Sequence, residues 1–406
     1  MEQIRLLETW QEWFEADHLI ATAFLHDWDE QKSKERFMAE ASGEKPRTDV
    51  TWGLFDDEGR MMSAIVTGPV KLTFDGQVIE SADLHMVGSL PESRGSGSIR
   101  RMMEVVLRAY KEKGLPLVLL IPFSFAFYRK FGFELASREM TQRVKIDQFS
   151  PFRCTFRVRQ AASQADADSA RKLYEEFALK RNMADIKSDD QWIYKGNGEF
   201  GDRDFWHGDR QHYTYLFTDD EGRDRAYFTY IFNHGPEGPF IGSMEVTDIA
   251  FDGPEGLRSI FGFIYGIRSK ITDVRLTLPR EMDLGLIMPE CDDVERRIGG
   301  HRMGRVLDVT KMLSLMRHPA GEGVYRIRVE DAFLPENTGT YEAAYRDGRA
   351  VSISRTDAAP DLTVTEETFL LLSLGLADLN AALYRENTVL SGNREVLKNV
   401  FPGKML

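Results

Sequence analysis

The chain has 406 residues, of which 42% are hydrophobic and 29% charged, and its 52 Lys and Arg against 65 Asp and Glu give a net charge of −13. This length and balance imply a globular protein of about two to four domains. The acidic surface argues against nucleic acid and anionic membrane as partners and favours cationic small molecules.

Cys154 and Cys291 stand far apart, with no CxxC or Cys/His cluster. That argues against a zinc site or other metal and fits a reducing, cytoplasmic compartment. The start, MEQIRLLETWQEWFEADHLI, is charged and amphipathic rather than a secretory signal, and no run reaches the ~18 apolar residues of a membrane span.

Residues 1–45 read as helices, from the helical spacing in WQEWFEADHLIATAFL and the following DEQKSKERFMAEAS. From Thr51 the pattern becomes strands, TWGLFDD, MMSAIVTGPVKLTF and QVIESADLHMVGSL, joined by the turns DDEG and DGQ. A helix is predicted over about 97–113, because Ile99, Met102, Met103, Val106, Leu107 and Tyr110 share one face and Gly114 supplies a left-handed stop. LPLVLLIPF reads as a buried strand. SFAFYRKFG reads as a short helix capped by Ser124 and ended by Gly132, and FELASREMTQRVKI as a closing strand.

A boundary is expected near residue 150. Residues 151–290 again combine helix (ADADSARKLYEEFALKR), strands (HYTYLFTD, RAYFTYIFNH, MEVTDIAF), helix (GPEGLRSIFGFIYGIRSK) and strand (DVRLTLP). The order repeats the first domain without its Ser/Gly-rich entry, so this part reads as a degenerate second copy. From 291 to 406, RVLDVTKMLSLMRHP is a strand then a helix, and GVYRIRVED, GTYEAAYRDG and AVSISR are strands. TEETFLLLSLGLADLNAAL is helical, and NREVLKNVFPGKML is a short helix with a brief tail. The fold class is α/β (α+β).

The stretch SRGSGSIRR, residues 93–101, joins a strand directly to the amphipathic helix, which is not how a linker between independent patterns behaves. Free N–H groups and the positive dipole end at a helix start favour anions, and glycine lets backbone approach a phosphate. An ordinary strand-to-helix turn uses the same residues, so the stretch alone leaves both readings open. Gly95 and Gly97 are followed by Arg100 rather than the third glycine of a dinucleotide fingerprint, and the GK[ST] of a Walker loop is absent.

Arg94-x-x-Gly97-x-Ile99 resembles the pyrophosphate loop of the GCN5-related (GNAT) N-acetyltransferases. FYRKFGFE, residues 127–134, is similar to the Tyr-x-x-Phe-Gly segment of the enhanced intracellular survival (Eis-like) acetyltransferases, and the likeness in plan extends over the whole chain. It implies a catalytic GNAT domain over 1–150, a degenerate GNAT-like domain over 151–290 and a sterol-carrier-protein-like domain over 291–406, with acetyl-CoA as co-substrate and a homo-hexameric assembly. Carried over by position, the backbone of Val87, Gly88 and Ser89 holds the pantetheine arm and the acetyl carbonyl. Gly95, Ser96, Gly97, Ser98, Ile99 and Arg100 cradle the pyrophosphate with Arg94 beside it, and Phe123 and Ser124 border the cofactor. Tyr128 matches the general acid, and the terminal carboxylate, here that of Leu406, the general base. The family often carries three arginines where this chain has Arg94, Gly95 and Ser96, two positive charges fewer near the phosphates.

Acetyl transfer to an amine needs an oriented thioester, a deprotonated amine and a proton for the leaving thiolate. A lone tyrosine is more often simply packed, and a chain end more often frayed. Asp27 and Trp28, in LHDWDE, are candidates for selecting a cationic flat or extended amine, against the plainer reading of a solvated loop. His207 and His212 in WHGDRQH read as surface groups. The expected function is acetyl-CoA-dependent N-acetylation of cationic small molecules, such as aminoglycosides or polyamines, or of lysine side chains. The competing expectation is a non-catalytic acyl-CoA- or lipid-binding carrier.

Overall fold

The computed structural model describes residues 2–201, 210–235, 238–279 and 282–404. Leu406 and His207 therefore lie outside the described residues. The chain divides into two compact units. One comprises the chain up to Leu72, Ile79–Ser137 and His301–Lys404, and the other Thr73–Val78 and Arg138–Gly300.

The first unit opens with strand β1 (Gln3–Leu6) and helices α1 (Trp10–Phe24) and α2 (Glu30–Ser42). Residues 3–6, expected as helix, are extended because they pair with the next strand, Gln3 opposite Phe55 through Leu6 opposite Trp52. A capping box starts α1: Thr9 Oγ1 accepts from the Glu12 N–H, and the Glu12 carboxylate accepts from the N–H of Thr9. Burial alone would raise the Glu12 pKa, but hydrogen bonds from Arg5 and from the N–H groups of Glu8 and Thr9 hold it down at about 2. Asp29 caps α2, accepting from the Lys32 N–H.

Next come β2 (Val50–Phe55), β3 (Met61–Phe74), β4 (Gln77–Ser89), α3 (Ser98–Glu112), β5 (Leu117–Leu120), α4 (Phe125–Arg129) and β6 (Glu134–Lys145). The sheet runs β1-β2-β3-β4-β5, and β4 and β5 are parallel. The predicted face of α3 is its buried face: Met102, Met103, Val106, Leu107 and Tyr110 pack against Leu54, Ile65, Val118 and Leu120. Each such side chain contributes about 1.5–3 kcal/mol on removal from water.

The second unit contains β7 (Arg157–Gln160), α5 (Gln164–Ala178), a small hairpin of β8 (Tyr194–Gly196) and β9 (Glu199–Phe200), then β10 (Tyr213–Thr218), β11 (Asp224–Gly235), β12 (Gly238–Phe251), α6 (Gly253–Gly266) and β13 (Ile271–Leu278). Its sheet runs β6-β13-β12-β11-β10-β7, with β12 and β13 parallel, so strand, helix and parallel strand repeat the order of β4, α3 and β5. The entrance to α6 differs. Asp252 occupies its N-cap, 2.8 Å from Arg225, where α3 has glycine, and a carboxylate at a helix start repels an anion.

Strand β14 (Val294–Val306) ends in the first unit, where Met303–Val306 pair antiparallel with β5. It is followed by α7 (Val309–Leu315), β15 (Glu322–Glu330), β16 (Gly339–Arg346), β17 (Arg349–Thr356), β18 (Leu362–Thr365), α8 (Glu366–Leu374), α9 (Leu379–Ala382), β19 (Val389–Leu390) and α10 (Arg394–Val400). These strands form a separate sheet, β17-β16-β15-β18-β19. Gly375, at φ +77°, ends α8, so the predicted helical stretch divides in two. Leu397, Val400 and Phe401 are buried, with Phe401 edge-on to Tyr325, so the last helix fills the face of this sheet.

A fully buried arginine ties this segment to the residues after α4. Arg305 donates two 2.7 Å bonds to Asp331, meets Glu366 at 2.8 Å and donates from Nε to the carbonyl of Phe131 at 2.9 Å. Gly132 makes room for it, since a Cβ there would lie 2.8 Å from Arg305 Nε. Burial pushes the Glu366 carboxyl well above the usual carboxylate range: Arg305 is already shared with Asp331, and Glu366 Oε2 has no partner.

Candidate active site

Strands β4 and β5 pair only from Ala82 opposite Val118 to Leu84 opposite Leu120, and β4 then continues alone on that side to Ser89. The divergence opens a cleft of about 790 Å³. Val87, Gly88 and Ser89 line it from β4, Ala23 and Phe24 from α1, and Phe123, Phe127, Lys130 and Phe131 from the region of α4. Arg94, Gly95, Gly97, Ser98, Ile99 and Arg100 line it from the Ser/Gly loop and the start of α3.

The loop turns on its two glycines. Gly95 and Gly97 are both left-handed, at φ +84° and +81°. Gly97 is the N-cap of α3 and has no side chain to cap it; the Ser98 N–H reaches the Ser96 hydroxyl at 3.4 Å, and the N–H groups of Ile99 and Arg100 are left for a ligand. Arg101 fixes the loop from behind, donating to the Ser96 carbonyl at 2.9 Å and pairing with Glu2 at 2.8 Å. Arg94 reaches back to the carbonyl of Ala23 at 2.9 Å. Cations at the loop, the dipole of α3 and Lys130 give one end of the cleft a positive character, and four phenylalanines make the rest apolar.

Three predicted residues have other tasks. The Ser98 hydroxyl is buried and accepts from Ser63 at 3.0 Å, so only its backbone belongs to the loop surface. Ser96 does not line the cleft, and its hydroxyl accepts from the Ser98 N–H. Ser124 caps α4, accepting from the Phe127 N–H at 3.3 Å. Lys130 and Phe131 fall inside the very segment that carries the resemblance, whereas Ala23 and Phe24 come from a helix far away in sequence and left no signal of their own.

Tyr128 lies behind the cleft wall rather than on it. Its ring is buried edge-on to Phe123, Phe127 and Phe133, and its hydroxyl has no hydrogen-bond partner among the described residues. Burial pushes its pKa up to about 12, so the phenol holds its proton at neutral pH and can only donate.

A second cleft, of about 420 Å³, lies across α1 and β4 from the first. Asp17, Ile20, Asp27, Trp28, Asp49, His85 and Met86 are among its lining residues. Successive residues of β4, Met86 and Val87, line the two clefts, so their Cα atoms are separated by only about 3.8 Å. Trp28 is fixed, donating from Nε1 to Asp17 at 2.8 Å and stacking near His18 at 4.4 Å. Ser33 also donates to Asp17. Asp27 has no ion-pair or hydrogen-bond partner among the described residues, so its carboxylate is available to a cation. Arg47 is not an opposing free charge, being stacked on Trp13 and paired with Glu40.

Residues 3–136 match the family profile described as "Acetyltransferase (GNAT) domain", residues 190–306 match a second profile with the same description, and residues 309–404 match "Sterol carrier protein domain". The chain is thus an enzyme of the acetyltransferase class, with two GNAT domains and a C-terminal sterol-carrier-like domain, and a GNAT domain implies use of an acyl-CoA. Among solved structures it is similar to a probable N-acyltransferase from Enterococcus faecalis V583, with 20% identity, a TM-score of 0.83, and 100% of this chain and 98% of that one covered. It is similar to a GCN5-related N-acetyltransferase from Anabaena variabilis (18%, TM-score 0.81, coverage 99% and 97%) and to Eis1 from Mycobacterium abscessus (16%, TM-score 0.77, coverage 100% and 98%). At these identities the likeness establishes the fold. None of the curated proteins compared matches the sequence.

Proposed function

We propose that the protein transfers the acetyl group of acetyl-CoA to an amine of a cationic small molecule, of aminoglycoside or polyamine type, or of a lysine side chain. The observation that carries this reading is the adjacency, along β4, of two clefts of opposite character. One is apolar with cations and a helix N-terminus at its end, as a pantetheine and its phosphates require. The other holds aspartates and a fixed indole, as an ammonium requires. The thioester would lie against Val87–Ser89, one residue from the amine side.

Tyr128 acts in this reading as the donor to the departing sulfur. The α-carboxylate of Leu406 is proposed as a base on the resemblance to Eis-like proteins. That likeness also motivates the domain limits 1–150, 151–290 and 291–406 and assembly as a homo-hexamer. The free thiols of Cys154 and Cys291 support a reducing cytoplasm as its location. Among the described residues no helix is long and apolar enough to cross a membrane.

The test is release of coenzyme A thiol from acetyl-CoA in the presence of an aminoglycoside, a polyamine and a lysine peptide. Turnover that rises with the number of amines on the acceptor supports the proposal. Lipid binding with no turnover on any amine would support the carrier reading instead.

A further inference from the structure

Strand β4 carries two successive exposed residues, His85 and Met86, just before Val87 and the cleft that it lines. Ala82 and Leu84 pack into the cluster around α3, and Val87 packs against that same cluster. Between them His85 and Met86 depart from the simple in–out alternation of a strand. Both of these residues line the amine-side cleft.

The place of the His85 ring is built by three other segments. Asp49, ahead of β2, stands 3.8 Å from Nε2 through Oδ1. Asp83, on β4 and 7% exposed, stands 3.8 Å from Nδ1 through Oδ2, and Arg302 of β14 lies 3.8 Å from that same oxygen. From β3, Gly68 leaves the space. A Cβ there would lie 2.3 Å from His85 Nε2 and 2.9 Å from Asp49 Oδ1, so any other residue would displace the ring. The imidazole is still 42% exposed on its side chain, open to a ligand in the cleft.

We infer that His85, set between Asp49 and Asp83, takes the proton from the acceptor ammonium in place of the Leu406 carboxylate, the base that the resemblance alone suggests. The inference rests on the amine-acetylation reading above. Imidazole is the side chain that ordinarily exchanges a proton near neutral pH, and the carboxylates of Asp49 and Asp83 stand 3.8 Å from its two nitrogens. His85 precedes Val87 by two residues, about 6.6 Å along an extended strand, so the ring and the backbone proposed to hold the thioester are within one small acceptor of each other. The cations that share the cleft are engaged, Lys32 with Asp29 and Arg36 and Arg47 with Glu40, whereas the Asp27 carboxylate is open to the ammonium.

The step balances as follows. His85 accepts one proton from the ammonium, and the free amine nitrogen forms the N–C bond at the thioester carbon. The C–S bond breaks with its electron pair on sulfur, and Tyr128 gives sulfur a proton. The second proton of the acylated nitrogen returns to the phenolate through water, and His85 releases its own to solvent.

The experiment compares wild type, His85→Gln and His85→Ala, and a form with residues added after Leu406, measuring kcat against pH and acetyl-CoA affinity by titration. Both His85 variants are expected to lose on the order of 10²–10⁴-fold in kcat, with acetyl-CoA affinity retained. Added imidazole is expected to restore part of the His85→Ala rate. Full turnover in His85→Gln would overturn the inference, and a loss confined to the extended form would assign the base to the Leu406 carboxylate. A wild type inactive on every amine would instead overturn the function itself.

Discussion

Arg305 and Phe131 are joined by a 2.9 Å hydrogen bond from guanidinium Nε to backbone carbonyl, three residues beyond Tyr128. The turn after α4, which holds the proposed acid, is thus anchored by the C-terminal segment of its unit. Arg305→Met keeps the volume but leaves Asp331 buried without its cation. The unfolding midpoint in urea should fall, by about 3–5 kcal/mol in stability. A midpoint unchanged from wild type would show that the ion group does not hold the unit together.

Glu366, in the same group, should leave a pH signature of the less common sign. Its folded pKa lies above the unfolded carboxylate value, so its contribution to stability is full below that unfolded value and is lost as pH rises through the folded one. Glu366→Gln keeps the shape and removes the titration. Between about pH 5 and about pH 8 the variant should lose less stability than wild type, measured by urea unfolding at both pH values.

At the cofactor loop, Gly95 offers a clean test, because a Cβ there meets nothing within 4 Å. Asn and Asp both tolerate its left-handed backbone, so Gly95→Asn and Gly95→Asp differ only in charge. Coenzyme A titration should give weaker binding for Gly95→Asp than for Gly95→Asn, by about tenfold for each 1.4 kcal/mol of repulsion. Equal affinities would remove the phosphates from this loop.

Tyr128→Phe deletes only a hydroxyl that has no hydrogen-bond partner among the described residues, so the fold should be intact. Turnover should fall on the order of 10²–10⁴-fold with acetyl-CoA binding kept. Since burial sets the phenol at about 12, the wild-type rate should show no alkaline limb from this residue up to roughly pH 10. Retained turnover in the variant would return Tyr128 to a packing role.

Asp27→Asn should raise KM for a polycationic amine by about twofold to fivefold, the worth of an exposed ion pair, and leave kcat nearly unchanged. The effect should shrink with added salt. An unchanged KM would make the loop a solvated one.

The sequence announced what is local. The stripe from Met102 to Tyr110, the stop at Gly114 and the Ser124 cap are each written in neighbouring residues, and the structure places them so, whereas the left-handed backbone of Gly95 and Gly97 comes from the structure alone. Strand β1 was read as helix because four residues carry no period of their own, and only the partner strand makes them extended. The His85–Asp49 approach was equally silent: 36 residues separate the two, and the glycine that admits them lies on a third segment. Trp28 is legible in the sequence as a candidate for selecting a flat or extended amine, but its bond to Asp17 depends on how α1 and α2 pack.

The early end of the β4–β5 ladder means that the sheet of the first unit has a vacancy shaped like a short strand. A pantetheine arm is an extended chain with two amides, and lying against Val87–Ser89 it would serve as that strand for its own length. Recognition of this kind reads N–H and C=O groups, which every amino acid supplies. The identities of the three residues are then free to answer to their neighbours: Gly88 to Ala23, which a Cβ would meet at 3.2 Å, and Ser89 to the hydroxyl of Ser63. The most intimate surface offered to the cofactor is therefore the one whose lettering says least about it.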